Sequence, residues 1–266
     1  MHSWGNSEGT EMRRPTALGW VALGLRVVAM AVVIFGLFGP MFLARRLGAR
    51  NLAQSIVRVA CRISVGIIGL RVSCRGAPMQ HAGAVVANHG SWIDILTLNA
   101  VQKIYFVSKD EVEGWPLVGA LARGIGTVFI RRKRTDAALQ KQVFLDRISS
   151  GDRLLFFPEG TSTDGKRVLP FKPTLFAAFF EPELAALTWI QPVTVNYLSP
   201  RGQRDDFYGW WGDMDFVEAF VMVVGSLRQG RVEIIFHAPL KVTDFKDRKA
   251  LAQQAETIVR QDLTTR

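Results

Sequence analysis

The chain has 266 residues, 48% of them hydrophobic and 21% charged, which leaves room for one sizeable α/β domain plus an accessory segment and excludes a disordered chain. A formal net charge of +10 favours anionic partners. Zinc-finger spacing and the aromatic–basic pattern of an RNA-binding sheet are both missing, so nucleic acid is set aside for a membrane surface.

Residues 1–15 read as a loose polar tail. From Val27 to Ala44 the chain carries no charge, close to the ~20 apolar residues that cross a bilayer core. It lacks an A-x-A cleavage site and is long for the apolar core of a signal peptide, so it is expected to stay attached. Gly36, Gly39 and Pro40 could break it. Asn51 to Leu70 is also apolar but carries Arg58 and Arg62, the pattern of an interfacial helix whose arginines snorkel. Arginines flank both sides of the first stretch, which fits a hairpin dipping into one leaflet better than a single crossing. An ordinary buried core helix is the bland alternative. Residues 16–75 are therefore read as a membrane-anchoring helix pair, and 76–266 as the main domain. Cys61 and Cys74 stand in no metal-ligand spacing and read as free thiols.

Beyond residue 83, apolar runs of strand length alternate with helical patterns. Strands are expected at Gly83–Ala87, Lys103–Val107, Thr127–Ile130, Arg153–Phe157, Gln191–Asn196 and Val232–His237. Helices are expected at Ser91–Ala100, Asp136–Ser149, Thr174–Phe180, Met214–Leu227 and Asp247–Leu263. Such alternation predicts an α/β fold with a central mixed, largely parallel sheet flanked by helices. Ligands gather at the carboxyl ends of strands in such sheets.

Three segments carry residue types suited to chemistry. In Ala84–Leu96 (AVVANHGSWIDIL) a strand runs into Asn88 and His89, with Ser91 as the expected N-cap. His89 and Asp94 are five apart, so they meet only if His89 lies in the turn before the helix. An imidazole held by a carboxylate is a general base. No G-x-S-x-G motif accompanies the pair, so the hydroxyl it activates would belong to the substrate. A capping Asp beside a surface His is the alternative. In Gly126–Arg132 a strand ends in basic residues that continue to Arg134, either an oxyanion clamp or a solvated turn. In Leu154–Gly165 a strand stops at Pro158-Glu159-Gly160, where the Gly160 N–H could help stabilise an oxyanion. Downstream, Pro192 inside a strand predicts an edge or a bulge.

Taken together these segments resemble the lysophospholipid acyltransferase family, of the bacterial 1-acylglycerol-3-phosphate acyltransferase type. The NH-x4-D block is Asn88 through Asp94, G-x-x-F-I-x-R is Gly126 through Arg132, F-P-E-G-T is Phe157 through Thr161, and the V/I-x-P-V strand is Ile190 through Val193. The likeness implies that His89, oriented by Asp94, deprotonates an acceptor hydroxyl that attacks an acyl thioester directly. It implies that Gly126, Phe129, Arg132, Glu159, Gly160 and Thr161 line the acceptor site and that Pro192 borders the acyl channel. It implies no metal and no bound cofactor. Acyl carrier protein or coenzyme A would bring the donor, and the enzyme would sit at the bacterial inner membrane, facing the cytoplasm. Two positions depart from the family pattern: Ser162 replaces an arginine that contacts the acceptor phosphate, and Arg131 replaces an aspartate. The stretch from FPEGTSTDG to VLPFK is similar to enzymes that acylate lyso-ornithine lipid, leaving that lipid and 1-acylglycerol 3-phosphate both open as acceptors. A silent lipid-binding relative and a thioester hydrolase are the competing readings.

Overall fold

The structure is a computed structural model, described here for residues 14–115, 118–130 and 137–263. The tail read at residues 1–15 lies almost wholly outside the described residues.

Thr16 opens the first helix, α1 (Ala17–Arg46), by accepting the Gly19 N–H on its hydroxyl. At 30 residues it is about 45 Å long and includes the whole uncharged run. The expected break does not occur: Pro40 sits inside the continuous helix. Its ring removes the N–H that would bond the Gly36 carbonyl, a local loss that the rest of so long a helix absorbs. A turn through Gly48 (φ 73°) returns the chain as α2 (Arg50–Ile68). Its buried Ala53, Val57, Cys61, Ser64, Val65 and Ile68 recur at helical spacing, and the Arg62 guanidinium bonds the Ala100 carbonyl at 2.7 Å. Both helices are long and apolar enough to cross a membrane. On α1, Leu18, Val28, Val32 and Phe35 are each at least 60% exposed, an apolar stripe of the kind that marks a membrane or partner surface.

The sheet follows. Its strands are β1 (Arg71–Arg75), β2 (Gly83–Ala87), β3 (Tyr105–Lys109), β4 (Val128–Ile130), β5 (Arg153–Phe156), β6 (Trp189–Leu198), β7 (Arg231–Phe236) and β8 (Leu240–Lys241). Their spatial order is β1-β7-β6-β2-β5-β3-β4, with β8 beside β6. Pairing is parallel except where β6 meets β7 and β8. This is the mixed, largely parallel sheet that the alternation predicts. One face (Val85, Ala87, Phe106, Leu155, Val195) packs towards α1, α2 and α3 (Asp94–Val101). The other (Ala84, Val86, Leu154, Phe156) packs on α5 (Ala137–Ser149), the 3-10 turns of Pro173–Phe180 and the last helix, α8 (Arg248–Gln261). Between them in the chain come α4 (Val118–Ile125), α6 (Pro182–Ala185) and α7 (Phe216–Gly225).

Three local expectations change. Ser91 is not the N-cap, because α3 begins at Asp94. Residues 173–180 wind as 3-10 rather than α-helix. Pro192 lies on the central strand β6 rather than on an edge. The bulge, however, is real. Between the pairs Val193↔Phe236 and Ile190↔Leu240, three steps on β6 oppose four on the partner, so the ladder is interrupted where proline lacks a donor. The Pro192 carbonyl still accepts the His237 N–H at 3.1 Å.

Candidate active site

β2 ends at Ala87, and the Asn88 amide extends its pairing by bonding both the N–H (2.8 Å) and the carbonyl (3.0 Å) of Val195. His89 therefore leaves the carboxyl edge of the sheet in a fixed direction. The chain then curls around the fully buried Asp94. Asp94 Oδ2 accepts the Gly90 and Ser91 N–H groups at 3.1 Å each and meets His89 Nδ1 at 2.7 Å. That curl brings together two side chains five residues apart. A carboxylate at Nδ1 holds the proton on that nitrogen and leaves Nε2 as the proton acceptor. The side chain of His89 is 18% exposed, enough for a reactant to reach it. Gly90 makes the curl feasible, since a Cβ there would stand 2.7 Å from the Gly165 Cα.

Asp94 Oδ1 accepts a hydrogen bond from the Tyr197 hydroxyl at 2.8 Å. Burial, then the charge of Asp94, push the Tyr197 hydroxyl well above its ordinary value, so it stays protonated as a donor. His89, Asp94 and Tyr197 thus form one buried relay that faces solvent at its histidine end.

The F-P-E-G-T turn closes on the other side. Phe157 stacks on the His89 ring at 4.0 Å and 9°. Glu159, 1% exposed, accepts the His89 N–H on Oε1 at 2.8 Å and the Leu169 N–H on Oε2 at 2.7 Å. Burial pushes its carboxyl up to about 8, against the pull of those two N–H donors. Thr163 bonds the His89 carbonyl through its N–H at 2.9 Å and its hydroxyl at 3.2 Å. The Gly160 N–H is donated to the Phe157 carbonyl at 3.1 Å, so it is not a free oxyanion donor. Gly160 instead has φ 75° and bare backbone under Lys172, whose Nζ would stand 2.8 Å from an added Cβ. Thr161 follows on this turn, half-buried.

The remaining predicted positions lie apart. Phe129 is on β4, level with Ser108 and three strand spacings (about 14 Å) from β2. Alternation puts it on the His89 side of the sheet. Gly126 precedes β4, at the amino edge, and its surroundings are Arg45 and Tyr105. Pro192 pairs with Val86 and shares its face, the side covered by α8. Arg132 falls outside the described residues. Tyr197 and Thr163 were not singled out from the sequence, and Asn88 was named only as the first residue of the NH-x4-D block, with no role. For Tyr197 the sequence offers only the alternation of Val193, Val195 and Tyr197 onto one face; its level beside the His89 turn comes from the pairing of β6 with β2.

Residues 71–196 match the acyltransferase family model. Over 99% of its length, and 98% of the relative's, the chain is 52% identical to a lyso-ornithine lipid O-acyltransferase of Rhodobacter capsulatus. The chain belongs to the acyltransferase family. Another lyso-ornithine lipid O-acyltransferase, from Brucella abortus, is 36% identical over 91% of this chain and 94% of that one. A 1-acyl-sn-glycerol-3-phosphate acyltransferase of Neisseria gonorrhoeae is 31% identical over 73% of this chain and 74% of that one. Among solved structures, a 1-acyl-sn-glycerophosphate acyltransferase of Thermotoga maritima superposes with a TM-score of 0.64, covering 91% of this chain and 93% of its own at 20% identity. That likeness supports the fold alone.

Proposed function

We propose that this acyltransferase moves a fatty acyl group from the thioester of acyl carrier protein or coenzyme A to the free hydroxyl of a membrane lysolipid, with lyso-ornithine lipid as the preferred acceptor. The observation that carries the reading is the 2.7 Å bond between His89 Nδ1 and the buried Asp94. His89 Nε2 takes the hydroxyl proton as the acceptor oxygen bonds to the thioester carbon. The C–S bond breaks, and His89 returns the proton to the departing thiolate. Asp94 stabilises the imidazolium in between, and Tyr197 holds Asp94 in place. Atoms and charges balance with no acyl-enzyme intermediate.

Glu159 and Thr163 position His89 through its backbone. Arg132, together with Lys172 above the Gly160 turn, supplies cations for the acid group of the acceptor, with Thr161 on that turn and Phe129 on the His89 side of the sheet. The acceptor assignment is supported by the 52% identity to the Rhodobacter enzyme and by Ser162, which replaces a phosphate-type arginine. The exposed stripe of α1 supports anchoring of the α1–α2 pair in the bacterial inner membrane, with the catalytic domain on the cytoplasmic side, where both thioester donors are found. A side-by-side assay with lyso-ornithine lipid and 1-acylglycerol 3-phosphate tests the acceptor. The expected result is a higher kcat/KM for lyso-ornithine lipid; a preference for the phosphate acceptor would overturn that choice.

A further inference from the structure

An open groove lies away from His89, between the carboxyl end of α1 and helix α4. It encloses about 440 Å³ and is lined by Phe38, Phe42, Arg45, Arg46, Arg123 and Gly124. Two glycines build it. A Cβ on Gly124 would strike the Phe38 ring at 2.6 Å, and one on Gly126 (φ 89°) would stand 2.9 Å from Arg45 Nη1. Their missing side chains let the end of α1 seat against α4. The Arg45 guanidinium is then fixed by the carbonyls of Gly124 and Arg123.

The groove combines aromatic rings with cations. Phe38 and Phe42 stack with ring centroids 6.5 Å apart, forming an apolar wall. Three guanidiniums, those of Arg45, Arg46 and Arg123, share the groove with these rings. Arg46 lies over the Phe42 ring, 5.1 Å from its centroid. Arg123 has a carboxylate partner in Glu113 at 3.8 Å; the charge of Arg45 is felt by the Asp152 carboxyl, and among the described residues neither Arg45 nor Arg46 has a carboxylate within ion-pair distance. Three like charges around one groove, at the end of an apolar helix, call for an anion with a hydrocarbon tail.

We propose that this groove binds an anionic phospholipid of the bilayer, its phosphate between Arg45, Arg46 and Arg123 and an acyl chain along Phe38 and Phe42. The site is separate from the acceptor site. Gly126, on its border, stands at the amino edge of the sheet, about five residue rises (roughly 16 Å) along the strands from the level of His89. The bound lipid would act as a tether fixing the depth of α1 beneath the catalytic domain. This inference rests on the membrane association proposed above.

The test uses full-length enzyme in neutral detergent, with phosphatidylglycerol, phosphatidylcholine and glycerol 3-phosphate as probes and retained ligand counted by native mass spectrometry. Wild type is expected to retain phosphatidylglycerol over phosphatidylcholine and to bind glycerol 3-phosphate poorly. Arg46→Gln and Arg123→Gln should each weaken phosphatidylglycerol about fivefold, and the double variant should abolish the preference. Phe42→Ser, which keeps all three cations, should weaken phospholipid binding without creating affinity for glycerol 3-phosphate. Acyl transfer by these variants should keep its acceptor KM, and sedimentation with phosphatidylcholine vesicles should be unchanged. Equal retention of both phospholipids by wild type, or tight glycerol 3-phosphate binding, would overturn the proposal. So would a rise in acceptor KM matching the lost phosphatidylglycerol affinity, since that makes the groove the acceptor site. Loss of vesicle binding by wild type would count instead against the membrane reading.

Discussion

Replacing Glu159 by Gln should remove the pH dependence that this carboxyl gives to stability, and so reverse the order of stability of variant and wild type across the pH range. The wild-type carboxyl is held near 8 in the folded protein against 4.5 for the free group, because burial penalises its charge. Folding therefore favours the protonated form. The resulting stability is fully present below pH 4.5, declines as the unfolded chain ionises, and is gone once pH passes about 8. That difference corresponds to a loss of about 5 kcal/mol, at ~1.4 kcal/mol for each pH unit in the window. Glutamine does not titrate. It has one carbonyl for the two N–H groups of His89 and Leu169, so one buried donor loses its acceptor at a cost of about 1–3 kcal/mol. The variant should thus be the less stable protein at pH 5 and the more stable at pH 8.5, with the curves crossing between about pH 5 and 7. Thermal unfolding in detergent, followed by tryptophan fluorescence at fixed scan rate, reads this as a difference in Tm that changes sign, on the order of 10 °C across the range. Curves that run parallel from pH 5 to 8.5 would refute the account of Glu159 as a buried, proton-retaining carboxyl.

Tyr197→Phe removes the hydroxyl that holds Asp94 and should lower kcat about tenfold while leaving both substrate KM values near wild type; a fall in Tm with kcat untouched would reduce Tyr197 to a packing residue. Gly90→Ala places a methyl 2.7 Å from the Gly165 Cα, so the turn must open. Transfer should fall at least tenfold with membrane binding intact, and wild-type turnover would show that the curl around Asp94 is more pliant than its contacts imply.

The strand–helix alternation exposed most of the sheet because parallel strands buried on both faces read as apolar runs. β2 runs Gly83–Ala87, as its run of small apolar residues predicts. Strand β1 escaped because Arg71–Arg75 is an exposed edge with polar residues, which leaves no apolar signature. Pro192 misled as to the edge because a central strand can carry proline where its partner bulges, a feature of the partner's register. At the site, His89, Asp94 and Glu159 were legible because each sits within a few residues of a strand end. Tyr197 was not, since its contact with Asp94 spans 103 positions and depends on which strands are neighbours. Gly126 shows the converse: its place in a four-block pattern points to the headgroup, whereas its backbone serves the seating of Arg45.

The central claim is that His89 Nε2 deprotonates the acceptor. The most direct measurement compares wild type with His89→Ala, using an acyl thioester labelled in its acyl chain, with and without lyso-ornithine lipid, and separating acylated lipid from free fatty acid. The account predicts transfer reduced by about 10²–10⁴-fold in the variant, with unchanged membrane binding, and wild-type label release that depends on the acceptor. Near wild-type transfer by His89→Ala, or release of free fatty acid by wild type at the same rate without lysolipid, would contradict it.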